Sequence, residues 1–149
     1  METYEEELIA TYNKVKFLPE GSTIETFLSD KLPPAELITA VYGFVFSERS
    51  VLFTVGKDEG HHEVDIPGGH IEKGENPVEA LMRKIKEETG ISVEDVYLKA
   101  YSRITIPEDS DTKYPKPVSY MLYYVANLKE RPKTTPEGVW LSIDSAREN

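Results

Sequence analysis

The chain has 149 residues, 39% of them hydrophobic and 30% charged, and a formal net charge of −10 from 17 basic and 27 acidic side chains. That size and mixture fit one folded domain rather than a disordered chain, and so acidic a surface repels a polyanion, which argues against duplex nucleic acid as a partner. The absence of cysteine excludes a disulfide scaffold, a thiolate metal site and a cysteine nucleophile.

The first residues, Met1-Glu2-Thr3-Tyr4-Glu5-Glu6-Glu7, are acidic where a secretion signal is basic, so a cytoplasmic location is expected. Leu8, Ile9, Tyr12, Val15 and Phe17 recur near helical spacing and predict a helix over 4–17. Pro19-Glu20-Gly21-Ser22 breaks it, and Ile24 to Asp30 reads as a second short helix ending before Pro33-Pro34. Residues 1–35 are therefore expected to form an N-terminal helical extension. It would cover the sheet or a partner, which leaves a homodimer open.

Residues 37–47 are rich in β-branched and aromatic side chains and predict a buried strand, with a turn at Glu48-Arg49-Ser50 and a hairpin partner over 51–55. The run Leu37 to Phe46 is also the longest uncharged apolar stretch; a bilayer takes about 18 residues, so no membrane partner is expected. After a polar stretch comes the alternating run Glu63 to Ile66, ended by Pro67-Gly68-Gly69, which predicts a sharp turn. Asn76 as N-cap and Pro77 at the first helical position start a helix that runs to about Thr89 and stops at Gly90. Strands are expected at 96–106 and 118–127, joined by the acidic loop Pro107 to Pro117, and a last apolar run spans Gly138 to Ile143. The pattern is that of an α/β layered domain.

On the helix after Asn76, Val78, Leu81, Met82 and Ile85 share one arc and are expected to pack on a sheet. Beside that arc lies a polar strip of Arg83, Lys84, Glu87 and Glu88. Such a strip is ordinarily a solvated face with two i,i+4 ion pairs. Two adjacent carboxylates beside a turn that exposes backbone carbonyls are also a site for a hard divalent cation, which takes oxygen ligands.

The spacing of the whole segment decides between these. Residues 68–91 read GGHIEKGENPVEALMRKIKEETGI, in which Gly69, Glu75, Arg83, Ile85, Glu87, Glu88, Gly90 and Ile91 fall at fixed intervals. This resembles the Nudix box, G-x5-E-x7-R-E-U-x-E-E-x-G-U with U a bulky aliphatic residue. Ile66-Pro67-Gly68-Gly69-His70-Ile71-Glu72 ahead of it and Trp140 near the end also look like the family, and the resemblance spans roughly residues 37–145. It implies a single Nudix-type α/β/α sandwich with a mixed β-sheet, here extended at its N-terminus. It implies a pyrophosphohydrolase that cleaves a nucleoside diphosphate linked to another moiety, using magnesium or manganese. By the same resemblance, Gly68 supplies a metal-binding carbonyl, Glu87 and Glu88 are metal ligands, and Glu75 and Arg83 form a salt-bridged orienting pair. Gly69, His70 and Lys84 are the residues expected to meet a small phosphorylated substrate.

One position departs from the family: Lys84 stands where a glutamate that commonly binds metal is usual. Hydrolysis with a base from outside the box is one reading. The alternative is a weakened Nudix-like domain that binds a nucleotide or diphosphate ligand as a sensor or interaction module. Candidates for a missing carboxylate are Glu108, Asp109, Asp111 and Glu137, all of which also read as ordinary loop residues. His61 and His62 read as a loop edge, and Tyr42, Phe44, Tyr120, Tyr123 and Tyr124 as base-stacking or core residues.

Overall fold

A computed structural model of the chain describes residues 6–55, 64–130 and 138–142. The strands in chain order are β1 (Glu7–Tyr12), β2 (Thr23–Leu28), β3 (Ile38–Ser47), β4 (Ser50–Val55), β5 (Val64–Asp65), β6 (Gly68–His70), β7 (Ser92–Thr105), β8 (Val118–Glu130) and β9 (Gly138–Ser142). Among the described residues there is one α-helix, α1 (Pro77–Thr89), and a 3₁₀ turn at Ala35–Leu37. The strands are hydrogen-bonded in the order β1-β2-β7-β8-β3-β4-β5, with β6 on β3 and β9 on β4. None of the described helices is long and apolar enough to cross a membrane.

The chain divides into two compact units, the first comprising Met1–Ala40 and Leu98–Tyr123. Here the sequence expectation is corrected: β1 and β2 stand where helices were expected at 4–17 and 24–30. The reason is pairing. β1 runs antiparallel to β2, and β2 runs antiparallel to β7 with Ile24 opposite Ile104 and Phe27 opposite Tyr101. A run as short as Thr23–Leu28 is ambiguous between the two periods, and the pairing decides. The pleat turns Ile24 into a small core with Leu18, Ile104 and Ile106, flanked by Val15, Tyr114 and Met121. The apolar residues that suggested a helical stripe, Leu8 and Ile9, are each 50% exposed.

The second unit comprises Val41–Tyr97 and Tyr124–Asn149. β3 and β4 form the expected hairpin, with Phe46 opposite Val51, and β4 also pairs antiparallel with β5 and β9. Pro67-Gly68-Gly69 is not the sharp turn expected. Gly68–His70 is a short strand, because Gly43 donates its N–H to the Pro67 carbonyl at 3.0 Å and β6 continues that pairing on β3. Helix α1 begins and ends on its predicted signals. The Asn76 side chain accepts the Glu79 N–H at 2.9 Å, and Gly90, at φ 74°, closes the helix with its N–H on the Lys86 carbonyl at 2.8 Å.

Ala80, Leu81, Ile85 and Thr89 are buried on α1, and a Cβ on Gly43 of β3 would lie 3.1 Å from Leu81 Cδ1 and 3.4 Å from Ile85 Cδ1. The missing side chain lets the helix approach the strand. Met82, expected in the packed arc, is 43% exposed. Burial of Ala80 draws the arc toward the polar strip and leaves Met82 beyond its far edge. Turning by about 100° per residue, Glu88 falls about 20° from Leu81, so a carboxylate rides on the packed side.

Leu81→Ala should therefore cost about 2–5 kcal/mol, as cavity-forming core truncations do. Met82→Ala should change stability by no more than about 0.5 kcal/mol, as for a surface site. Urea unfolding reads both as midpoint shifts at constant slope; equal losses would place Met82 in the packed face after all.

Candidate active site

The site grows from β6, the loop 71–76 and the outer side of α1. Gly68 occupies a place no other residue fits: at φ 155°, a Cβ there would lie 2.2 Å from the Val41 carbonyl oxygen and 2.7 Å from Tyr42 Cα. Both obstacles are backbone and cannot swing away. The Gly68 N–H, so placed, donates to Glu88 Oε1 at 2.9 Å. This bond brings the helix carboxylate to the strand whose glycine carbonyl was expected beside it.

Arg83 ties the loop to the helix. Its Nε and Nη2 donate to the two oxygens of Glu75 at 2.7 and 2.9 Å, a bidentate fork that lysine cannot make. Its Nη1 lies 3.2 Å from both oxygens of Glu87, and Nη2 also reaches the His70 carbonyl at 3.4 Å. Glu75 Oε1 accepts the Glu72 N–H at 2.9 Å as well. Hydrogen bonding from Arg83, then from the Glu72 backbone, holds the Glu75 carboxyl below the usual carboxylate range, against the opposing effect of burial. The bond to Glu75 pushes the Arg83 guanidinium upward, burial opposes it, and Glu87 adds to the rise.

Lys84 lies across Gly69. A Cβ built on that glycine would fall 2.3 Å from Lys84 Cε and 3.2 Å from its Nζ. The ammonium stands 4.0 Å from Glu87 Oε2, and the side chain is only 27% exposed. Thus Gly68, Gly69, Glu75, Arg83, Lys84, Glu87 and Glu88 are linked by direct contacts. His70 contributes its carbonyl to Arg83, while the residue as a whole is exposed. Sequence reasoning missed Glu72, whose carboxylate sits 3.7 Å from Arg83 Nη1; its place three residues before Glu75 was the available signal.

Of the other candidates, Tyr42 lies against Gly68, where a Cβ would fall 2.6 Å from its Cδ1. Glu108, Asp109 and Asp111 are exposed in a loop of the first unit, where Lys116 Nζ donates to the Glu108 and Ser110 carbonyls. Tyr120 packs edge-on against Tyr101 at 5.5 Å, Tyr123 is hydrogen-bonded to Ser102 at 3.2 Å, and Tyr124 is buried. His61, His62, Glu137 and the Trp140 side chain lie outside the described residues.

Comparison with known proteins identifies the family. The NUDIX domain family profile fits residues 36–149, and the chain belongs to that family. It is 36% identical over 61 residues to an RNA pyrophosphohydrolase of Aeromonas hydrophila, a match covering 41% of this chain and 35% of the relative. The matched part is thus about a third of that relative's length. Among solved structures, the pyrophosphohydrolase BsRppH of Bacillus subtilis is similar at a TM-score of 0.65 and 22% identity, covering 89% of this chain and 77% of that one. A NUDIX hydrolase from Nitrosomonas europaea follows at a TM-score of 0.56 and 19% identity, covering 74% and 75% of the two chains. The fold, a sheet with α1 packed against it, is accordingly that of the Nudix α/β/α domain.

The Arg83–Glu75 fork has a consequence for acid stability. A carboxyl held low contributes stability that is complete above its unfolded pKa of about 4.3 and is lost as pH falls through the depressed folded value. Thermal melts of wild type and Glu75→Gln from about pH 7 to about pH 3 should show the variant less stable at neutral pH and less steeply destabilised by acid. Parallel curves would show that the pairing contributes nothing to folding.

Proposed function

We propose that the chain is a divalent-metal-dependent hydrolase that cleaves a pyrophosphate bond in a nucleoside diphosphate-linked small molecule. The observation that carries this reading is the bond from the Gly68 N–H to Glu88, which sets a helix carboxylate against the glycine strand beside a second carboxylate, Glu87. Family membership and the printed activities of the two pyrophosphohydrolase relatives support it.

The donors present suit magnesium or manganese. Glu87, Glu88 and the Gly68 carbonyl are hard oxygen ligands, and among the described residues no group of three or more His, Cys, Asp or Glu could hold a metal alone. Two carboxylates completed by substrate phosphate is the usual way magnesium is bound. When bound there, the ion neutralises diphosphate charge and polarises the phosphorus under attack.

The remaining work falls to the chain itself. Arg83 holds Glu75 and Glu87 in single orientations, so less side-chain freedom is lost on binding. Gly68 does the same for Glu88. Gly69 makes room for the stem of Lys84, whose ammonium, beside Gly69, meets phosphoryl oxygen. His70 borders the substrate on the exposed side.

A hydrolysis screen with magnesium or manganese, reading the phosphomonoesters and pyrophosphate formed, tests the reading over nucleotide sugars, dinucleoside polyphosphates, nucleoside triphosphates and an RNA bearing a 5′-triphosphate. One of these should be hydrolysed, and chelation should abolish the activity. Glu88→Gln should lower kcat/KM by about 10²-fold or more, since a Lewis-acid contribution is worth several kcal/mol and each 1.36 kcal/mol is tenfold. No cleavage of any of them with either metal would overturn the proposal.

A further inference from the structure

Glu87 is an unusual place to expect a metal ion, because two cations already hold it. Arg83 Nη1 lies 3.2 Å from both of its oxygens, and Lys84 Nζ lies 4.0 Å from one. The two are not equivalent. Arg83 is anchored by its fork on Glu75 and by the His70 carbonyl. Lys84 meets Glu87 at the limit of ion pairing, on a four-carbon stem whose three donors rotate. Its stem rests on Gly69, where the absence of a Cβ leaves room for it to lie or to leave. Lys84 is therefore the movable cation, and what moves it must be an anion that offers more than one carboxylate oxygen at 4.0 Å.

We propose that Lys84 is a positioning residue that couples the two ligands of the site: it covers Glu87 in the free protein and transfers to a diphosphate when one binds, opening Glu87 to the divalent ion. This rests on the functional reading above and adds an order to it. The ion alone meets a site carrying two competing cations. With diphosphate present, the lysine charge is spent on phosphoryl oxygen and the carboxylate is exposed to the metal. Coupling of this kind is reciprocal, so whatever factor the diphosphate adds to metal affinity, the metal adds to diphosphate affinity.

Two separate binding measurements test it, neither of which depends on turnover. Manganese is titrated into the protein without nucleotide, read by the resonance of the free ion. Methylenediphosphonate is titrated calorimetrically in the presence of chelator. Lys84→Met keeps a stem over Gly69 and removes the charge; it should bind manganese about tenfold more tightly and the metal-free diphosphonate about tenfold more weakly, within the usual 5–150-fold range of coupling. Lys99→Met removes an exposed charge elsewhere and should change neither by a comparable factor. Lys84→Gln should repeat the pattern and serves if methionine disturbs the packing on Gly69. If Lys84→Met and Lys84→Gln bind both ligands as wild type does, the coupling role is overturned while the metallohydrolase reading stands. If manganese binds none of the proteins, with or without diphosphonate, that reading falls and the inference with it.

Discussion

Arg83 is the side chain on which the site's geometry depends. Its guanidinium has five N–H donors in a fixed plane, and the contacts to Glu75, Glu87 and the His70 carbonyl use the whole fan. Those partners belong to three different pieces of chain: the strand end at His70, the loop at Glu75 and the helix itself. Arg83 joins all three, and the Gly68–Glu88 bond ties strand to helix beside it. A loop such as 71–76 has no ladder of its own, and its one internal backbone bond, Glu75 N–H to the Glu72 carbonyl at 3.1 Å, forms beneath the same fork. A lysine in this place would neutralise one carboxylate and leave the planar fork unmade.

Glycines supply the second constraint, by subtraction. Gly43 lets Leu81 and Ile85 close on β3, Gly68 passes over the Val41 carbonyl, and Gly69 takes the stem of Lys84. Each removes a Cβ at a different level: helix against sheet, strand against strand, side chain against backbone. The carboxylate Glu88 can reach the Gly68 N–H because the first two approaches have already been made. The geometry of the candidate site is in this sense a result of close backbone packing, and the side chains that carry charge only complete it.

Much of this was legible in the residues. Asn76, Pro77 and Gly90 bound α1 as cap, first turn and left-handed stop, and the β-branched run of β3 with its hairpin partner was equally clear. These signals are local, which is why they can be read. The N-terminal strands could not be read in the same way. Thr23–Leu28 becomes a strand because residues far along the chain, Ala100 to Thr105, lie opposite it. Helix and strand templates both fit Leu8, Ile9 and Tyr12, and tertiary pairing decided between them. Met82 was misplaced for a related reason, since an arc drawn from large apolar residues ignores Ala80, which is buried. At the site, the spacing located the Glu75–Arg83 pair and the carboxylates, while the rest of Arg83's reach and the position of Lys84 required the fold. The ion pair of Arg103 with Glu25, at 2.8 Å, joins residues with no sequence signal linking them at all.

The charge pattern gives Lys84 its significance. On the function proposed above, a chain of net charge −10 brings a phosphorylated substrate to a site that already holds Glu87 and Glu88. Near that pair stand two cations, and Arg83 has given its donors to protein groups. Lys84 is the one whose contact with a carboxylate, at 4.0 Å, is long enough to be exchanged. Replacing the family's glutamate by lysine therefore does more than remove a ligand. It lowers the attraction of the free site for a bare cation and raises it for an anion, since a cation beside a carboxylate competes with metal and pairs with phosphate. In the coupling proposed above, Lys84 shifts the first encounter toward the phosphorylated partner, and in a protein this acidic that is the encounter that most needs electrostatic help.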